Sequence, residues 1–165
     1  MVALLHNVRS LFNVGSIFRT ADAAGIEKLY LCGITPTPND LFGKKRPQLA
    51  KVSLGAEDTV KWEKCSSTTK AIAKLKSDGY KIVAVEQAEN SVPYYALQID
   101  TNKLALIVGH EVKGLPKNIL DLADIIIEIP MRGKKESLNV GVAFGIVAFR
   151  LVESLIGCSF PSSRY

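Results

Sequence analysis

The side chains best suited to chemistry lie in three polar segments, each of which follows an apolar run. The segments cover residues 6–13, 109–114 and 130–137. Ligands of open parallel sheets bind beyond the carboxyl ends of the strands, so three such segments at one edge predict a functional site. Each segment alone also has a structural explanation, since glycines allow turns, asparagines cap helices and lysines hydrate a surface.

Several kinds of site are disfavoured by the sequence. The dinucleotide fingerprint GxGxxG and the phosphate-binding loop GxxxxGK[ST] are both missing. With two histidines, His6 and His110, and no GxSxG segment, a hydrolase triad has little support. Glu111 has no group of carboxylates or other metal ligands around it, and we therefore expect no metal.

Length and composition indicate one ordinary globular domain over residues 1–165. The chain is 47% apolar and 22% charged, with a net charge of +5 that permits a polyanionic partner without requiring one. Its three cysteines form no CxxC pair, which favours a reducing compartment. No signal peptide and no run long enough to cross a bilayer are evident, so we expect a cytoplasmic location without membrane contact.

Apolar runs and helical patterns alternate from end to end. Strands are predicted at residues 2–5, 29–32, 81–86, 104–108 and 125–129. Helices are predicted between them, with Asn13 as a candidate N-cap and Gly25 as a C-terminal cap, and a further helix begins after Ser66 or Ser67. Residues 35–59 are expected to form a long irregular connection. The fold class is therefore α/β, a mostly parallel sheet with helices on both faces, whose strand order the pattern leaves open.

The last helix is predicted to begin at Ser137, which is a good N-cap residue. From residue 138 to 149 every residue except Asn139 is apolar or glycine. A helix without a polar face is buried, either in a core or against another chain. Gly141 and Gly145 form a GxxxG pattern that permits close helix packing.

Three motifs in this chain resemble those of one enzyme family. They are N-V-G-S-I-F-R-T-A at residues 13–21, I-V-G-H-E-V-K-G-L at residues 107–115 and I-P-M-R-G-K-K-E-S-L-N-V-G-V-A at residues 129–143. In this order they are similar to the three motifs of the SpoU, or TrmH-like, RNA ribose methyltransferases. The resemblance covers nearly the whole chain.

The resemblance implies S-adenosylmethionine (AdoMet) as the methyl donor and a ribose 2′-hydroxyl of tRNA or rRNA as the acceptor. It also implies a C-terminal deep trefoil knot and a homodimer. Its catalytic positions map to Asn13, Arg19, Glu111, Ser137 and Asn139. Its cofactor contacts map to Gly109, Ile129, Met131 and Leu138.

The role of Arg19 is open at this stage. The family pattern has this arginine helping to deprotonate the hydroxyl, but a guanidinium normally keeps its proton in proteins. Arg19 can instead clamp a phosphate beside the target ribose, or it can be a surface residue paired with Asp22.

Contacts with RNA are expected to be mostly electrostatic and therefore salt-sensitive. The candidate residues are Lys44, Lys45, Arg46, Arg132, Lys134 and Lys135. A hydrated lysine surface is the alternative, and tRNA is favoured over rRNA as the partner. A catalytically inactive RNA-binding or assembly factor with the same fold is the main alternative function, and a small-molecule methyltransferase is disfavoured by the basic loops.

Overall fold

The computed structural model describes residues 1–98 and 100–156 and contains a seven-stranded sheet. The strands are β1 (Val2–His6), β2 (Lys28–Cys32), β3 (Lys61–Cys65), β4 (Lys81–Val85), β5 (Val92–Pro93), β6 (Leu104–Val108) and β7 (Ile125–Glu128). Their spatial order is β3-β2-β1-β6-β4-β7-β5, and every neighbouring pair is parallel. The predicted α/β class with a parallel sheet is confirmed.

Helices cover both faces of this sheet, as predicted. They are α1 (Leu11–Ala24), α2 (Pro47–Ser53), α3 (Ala56–Thr59), α4 (Thr68–Ser77), α5 (Lys117–Leu120) and α6 (Val140–Ile156). Successive strand residues point to opposite faces, so Leu5 joins a core with Phe18 of α1 and Phe144 of α6. Leu4 joins the other core with Ile72 of α4. None of the described helices is long and apolar enough to cross a membrane.

The connection between β2 and β3 is more regular than predicted. Residues 35–59 contain α2, with Pro47 at its first turn, and α3. The irregular prediction was wrong because Leu49 is buried against α1 and holds the short helix there, a tertiary contact that outweighs weak local propensity. Strand β3 was also missed, because three of its five residues are charged (Lys61, Glu63 and Lys64), which suits a half-exposed edge strand and leaves no apolar run.

Helix α1 is capped differently from the prediction at its first turn. The N-cap is Ser10, whose hydroxyl accepts a hydrogen bond from the backbone N–H of Asn13 at 3.3 Å. Asn13 therefore lies inside the first turn, where its side chain is available for another contact. The predicted C-terminal cap is confirmed, since Gly25 has a φ of 70° and donates to the backbone of Ala21 and Asp22.

Helix α6 begins three residues later than predicted, at Val140. Ser137 precedes the helix, and Asn139 caps it instead because its Oδ1 accepts from the N–H groups of Gly141 (2.9 Å) and Val142 (3.4 Å). The helix packs alongside α1, with Gly141 close to Ser16 as the GxxxG pattern predicted.

The predicted absence of an exposed face on α6 is only partly correct. Phe144, Val147 and Ala148 are buried under the helix. Val142 is 52% exposed and Phe149 is 44% exposed, so one side of the helix leaves apolar surface open to solvent.

Candidate active site

The three polar segments meet at the carboxyl edge of the sheet. Strands β1 and β6 are neighbours, and only β4 separates β6 from β7, so the segments that follow β1, β6 and β7 converge. Glu111, in the segment after β6, is the centre of the contacts. Its carboxylate accepts from the backbone N–H groups of Arg9 (3.1 Å) and Ser10 (2.9 Å) and from Asn13 Nδ2 (3.0 Å).

A second link joins α1 to the start of α6. Asn13 Oδ1 accepts a hydrogen bond from Asn139 Nδ2 at 3.0 Å. Because Glu111 accepts from the Nδ2 group of Asn13, the orientation of that amide is set, and its oxygen necessarily faces Asn139. The structure thus connects Glu111, Asn13 and Asn139 in one hydrogen-bonded chain, with one residue from each of the three motifs. We refer to it as the Glu–Asn–Asn network.

The electrostatics of Glu111 follow from these contacts. Partial burial would raise the pKa of its carboxyl, but the backbone N–H groups of Ser10 and Arg9, assisted by Asn13, outweigh it and lower the pKa. The side chain is therefore a fixed anion at neutral pH. As an acceptor for three N–H groups, it holds the segments in place and has little basicity left for proton transfer.

Beside the network lies a cavity of about 190 Å³. All four predicted cofactor positions line it, together with two of the predicted catalytic residues: Gly109, Ile129, Met131, Leu138, Glu111 and Ser137. The close approach of two backbone segments explains the glycine at 109, since a Cβ there would lie 2.5 Å from the carbonyl carbon of Gly114. The roles of these residues stay predictions, but their convergence on one cavity is a structural fact.

The cavity also contains polar residues that the sequence analysis missed. Glu86 follows β4, and its Oε2 accepts from the backbone N–H of Leu115 at 2.7 Å. Gln87 donates from Nε2 to the carbonyl of Glu136 at 2.7 Å and so ties β4 to the segment before α6. Their position at the end of a buried strand was the available clue, because β4 lies between two strands whose ends were recognised.

Arg19 does not belong to the lining of this cavity. It is exposed on α1, six residues after Asn13, which places the two side chains on different faces of the helix. The proposed pairing with Asp22 is not formed; Asp22 instead accepts from the Thr59 hydroxyl at 2.7 Å. The described residues offer Arg19 no acidic partner, so its charge is available to a ligand or a second chain.

The six basic residues predicted to contact RNA differ in their surroundings. Arg132, Lys134 and Lys135 are exposed in the segment between β7 and α6, near the cavity. Lys44 is exposed in the connection after β2, whereas Lys45 pairs with Asp58 and lies 3.6 Å from Glu57. These acids offset the charge of Lys45.

Arg46 is also less accessible than predicted. It is partly buried, and its Nε has no hydrogen-bond partner among the described residues. Its contact with RNA stays a prediction. Among the residues that the structure describes, no three His, Cys, Asp or Glu side chains group together as metal ligands.

Fold and site together define an α/β domain that binds a ligand at the carboxyl edge of a parallel sheet. Residues 1–149 match the SpoU rRNA Methylase family, and the chain belongs to that family. A tRNA (guanosine(18)-2′-O)-methyltransferase from Aquifex aeolicus is 32% identical over 149 residues, which are 90% of this chain and 67% of the relative. The chain spans 57% to 67% of the length of the curated relatives it matches.

Two solved structures add detail at the level of the fold. The AdoMet-bound rRNA methyltransferase of Sinorhizobium meliloti is 31% identical and superposes with a TM-score of 0.80 over 92% of this chain and 54% of that one. A second solved structure, from work on the 2-OH methylation of C/U34 on tRNA, is 27% identical and superposes with a TM-score of 0.79. It is similar in size, since the match covers 93% of this chain and 95% of that chain.

Proposed function

We propose that this chain transfers a methyl group from AdoMet to a ribose 2′-hydroxyl of RNA. The observation that carries the proposal is the cavity lined by Gly109, Ile129, Met131 and Leu138, directly beside the Glu–Asn–Asn network. Its location and lining support cofactor binding next to a polar group that can position an acceptor.

The residues present fit AdoMet chemically. Branched and thioether side chains from the β7–α6 segment offer apolar contact for an adenosine group, while the close backbone around Gly109 offers peptide N–H and C=O groups. Bound AdoMet supplies a methyl group on a positively charged sulfur, which needs no further electrophilic activation. The transfer would form an O–CH₃ bond and break the S–CH₃ bond, whose electron pair stays on the sulfur. The protein therefore has to align a ribose oxygen with that methyl while the hydroxyl proton passes to water or to an RNA phosphate.

The network is suited to the alignment. Asn139 uses one Nδ2 hydrogen for Asn13, so the second remains for a ribose oxygen. The exposed hydroxyl of Ser137, at the cavity wall, is a further donor or acceptor. Glu111 holds the arrangement through Asn13 and acts as a positioning residue.

We propose that Arg19 acts across a homodimer interface. Phe12 and Arg19 are seven residues apart in α1, two helical turns, and so share an exposed face. Four apolar residues of α1, α6 and the segment just before α6 are exposed: Phe12, Leu138, Val142 and Phe149. We propose that they form one surface, which we call the apolar patch. A second copy covering this patch would place its own Arg19 near the cavity, where the guanidinium clamps an RNA phosphate and keeps its proton.

RNA is the proposed partner, with tRNA favoured over rRNA, and the free thiols of Cys32 and Cys65 suit action in the reducing cytoplasm. The exposed Lys44, Arg132 and Lys135 support an electrostatic contact.

We further propose that the segment from β7 to α6 forms the deep trefoil knot implied by the resemblance. The contact between Gln87 and Glu136 supports a close passage of these segments.

The test is transfer of labelled methyl from AdoMet to bulk tRNA and, in parallel, to rRNA. We expect incorporation into tRNA that resists alkaline hydrolysis at the modified linkage, as a 2′-O-methyl group requires. Arg19→Ala should abolish incorporation because it removes the phosphate clamp. Its Kd for AdoMet, measured by calorimetry, should stay within about threefold of the wild type, a free-energy change below about 0.7 kcal/mol.

Three outcomes would contradict the proposal. AdoMet binding without incorporation into any RNA would identify an inactive RNA-binding factor. An alkali-labile product would exclude the 2′-hydroxyl as acceptor. Equal loss of cofactor binding and transfer in Arg19→Ala would show that Arg19 supports the cavity itself and not the RNA.

A further inference from the structure

A second cavity, of about 500 Å³, opens at the same edge of the sheet and is separate from the proposed cofactor cavity. Its lining consists of Asn7, Arg9, Ile34, His110, Val112 and Lys113. His110 and Val112 line both cavities, so the 109–114 turn is the shared wall between them. We propose that this second cavity binds the nucleobase of the RNA nucleotide being methylated, an inference that rests on the proposed function.

Apolar side chains give the cavity a surface suited to the flat face of a base. Ile34 is 62% exposed and Val112 is 88% exposed, although both are branched and apolar. Ile34 follows β2 and Val112 follows β6, so the two come from opposite sides of β1. Packing of such aliphatic side chains against a base is favourable for every base, because each base presents an apolar face.

His110 supplies a hydrogen-bond donor for the edge of the base. Its Nδ1 accepts from the backbone N–H groups of Val112 (3.0 Å) and Lys113 (3.3 Å). Accepting these bonds requires an unprotonated Nδ1, so the ring proton of neutral His110 is on Nε2. That N–H can donate to a carbonyl or ring nitrogen of a base.

The floor of the cavity is built rigidly before any ligand arrives. Asn7 has a φ of 56°, and its Oδ1 accepts from the backbone N–H of Ile34 at 3.0 Å. Gly33 has a φ of 61°, and a Cβ there would lie 2.0 Å from that oxygen, so the local structure requires glycine at this position. These contacts hold Ile34 in position although its side chain is exposed.

His6 holds the side chain of Asn7 in position. Its Nε2 lies 3.0 Å from Asn7 Nδ2, and its Nδ1 lies 2.7 Å from the Thr68 hydroxyl. Burial lowers the pKa of His6, so its ring is neutral and its Nε2 accepts from Asn7.

Cations at the rim match the charge of a nucleotide. Arg9 and Lys113 are both exposed, and both belong to the lining of this cavity. The backbone N–H of Arg9 also donates to Glu111, which links this rim to the Glu–Asn–Asn network. If a nucleotide has its ribose at the network and its base in the second cavity, its negatively charged phosphates would therefore lie near the positive charges of Arg9 and Lys113.

The first experiment compares Ile34→Ala with the control variant Leu54→Ala. Leu54 is also aliphatic, is 66% exposed where Ile34 is 62% exposed, and lies at the C-terminal cap of α2, outside the cavity lining. Neither change alters the net charge. We expect the KM of Ile34→Ala for bulk tRNA in methyl transfer to rise about fivefold to tenfold, because the variant removes three side-chain carbons whose contact with the base is only partly buried. The kcat should stay within about twofold and the Kd for AdoMet should be unchanged, while Leu54→Ala should match the wild type.

A second readout needs no methyl transfer. The chain has two histidines, so the ring resonances of His6 and His110 can be followed by NMR during titration with each of the four nucleoside 5′-monophosphates. We expect saturable shifts of the His110 ring in the wild type and in Leu54→Ala. Ile34→Ala should bind these nucleotides about tenfold more weakly.

The two readouts separate the inference from the function beneath it. If Ile34→Ala and Leu54→Ala have equal KM values and equal nucleotide affinities, the nucleobase site is overturned. A second outcome would separate the two proposals. If the wild type transfers no methyl group, yet nucleotides shift the His110 ring resonances and bind more weakly to Ile34→Ala, the nucleobase site is supported and the proposed function is contradicted.

Discussion

At the scale of single residues, Glu111 has the most consequence. Its carboxylate accepts from Arg9, Ser10 and Asn13 and so joins the segment after β6 to the start of α1. Because Asn13 in turn bonds to Asn139, one acceptor determines the geometry of residues from all three motifs. An anion suits this position, since all its partners are N–H donors.

Glu111→Gln should therefore destabilise the protein although it is nearly isosteric. The amide places an NH₂ group against N–H donors, and one unsatisfied contact costs about 1–3 kcal/mol. We expect a loss of this order in the free energy of unfolding by urea at pH 7. An unchanged free energy would show that the hydrogen bonds to Glu111 contribute nothing to stability.

The same variant tests the charge state of Glu111. The pKa of this carboxyl is lower in the folded protein than its ordinary value of 4.5, so its stabilising effect is complete above that value and disappears as the pH falls through the folded pKa. The difference between wild type and Glu111→Gln should narrow at acid pH. Glu89→Gln, at an exposed carboxylate without a hydrogen bond to another described residue, is the matched control.

At the scale of elements, the glycine at 15 determines how closely α2 approaches α1. A Cβ at Gly15 would lie 2.6 Å from the backbone oxygen of Leu49 in α2. A Cβ at Gly145 of α6 would meet only the Thr20 methyl, at 3.6 Å, an ordinary contact. The α1–α2 packing therefore requires its glycine, whereas the α1–α6 packing tolerates a methyl group at Gly145.

Alanine at these two positions should have opposite effects. Gly15→Ala should cost about 1–3 kcal/mol, because backbone atoms have to move. Gly145→Ala should be neutral or stabilise by up to about 1 kcal/mol, because a helix interior favours alanine over glycine. Urea unfolding of both variants provides the comparison, and each is the control for the other. Equal effects would contradict the helix packing described above.

At the scale of the whole molecule, the apolar patch and the position of Arg19 are the two observations behind the proposed dimer. Phe12 is 54% exposed and Val142 is 52% exposed, and Arg19 does not line the proposed cofactor cavity. A second copy would bury the patch and supply the missing cation. The proposed dimer therefore concerns activity as much as stability.

Phe149→Glu should convert the dimer to a monomer, since a buried carboxylate in an apolar interface is costly. Size-exclusion chromatography with light scattering measures the mass, and methyl transfer should fall with it. Leu41→Glu, at an apolar residue that is 98% exposed outside the patch, should remain dimeric. A wild-type monomer with full activity would rule out the interface.

Mixed dimers locate Arg19 relative to the cavity. Arg19→Ala and Asn139→Ala should each be inactive alone. If Arg19 acts across the interface, a mixed dimer has one intact site and regains activity. If both residues act within one chain, mixing restores nothing.

Local patterns were sufficient for much of the fold, whereas the list of site residues came from the resemblance of three motifs to one family. The apolar runs of β1, β6 and β7 and the helical spacing in α1 predicted the α/β class, because strand and helix periods are local properties. The motifs predicted which residues matter, and the four expected cofactor positions all line one cavity. The N-cap predictions at Asn13 and Ser137 were wrong, because several nearby polar residues can cap each helix and the tertiary structure selects one of them.

Tertiary structure alone decided how these residues meet. Asn13 and Glu111 are 98 residues apart and Asn13 and Asn139 are 126 apart, so no local pattern predicts their hydrogen bonds. The second cavity beside Ile34 likewise depends on which strands are neighbours, because its lining follows β1, β2 and β6. The pairing of Lys45 with Asp58 depends on how the connection between β2 and β3 folds. Sequence determined the chemical groups and their order, while the parallel sheet determined their distances, because it brings the ends of remote strands to one edge.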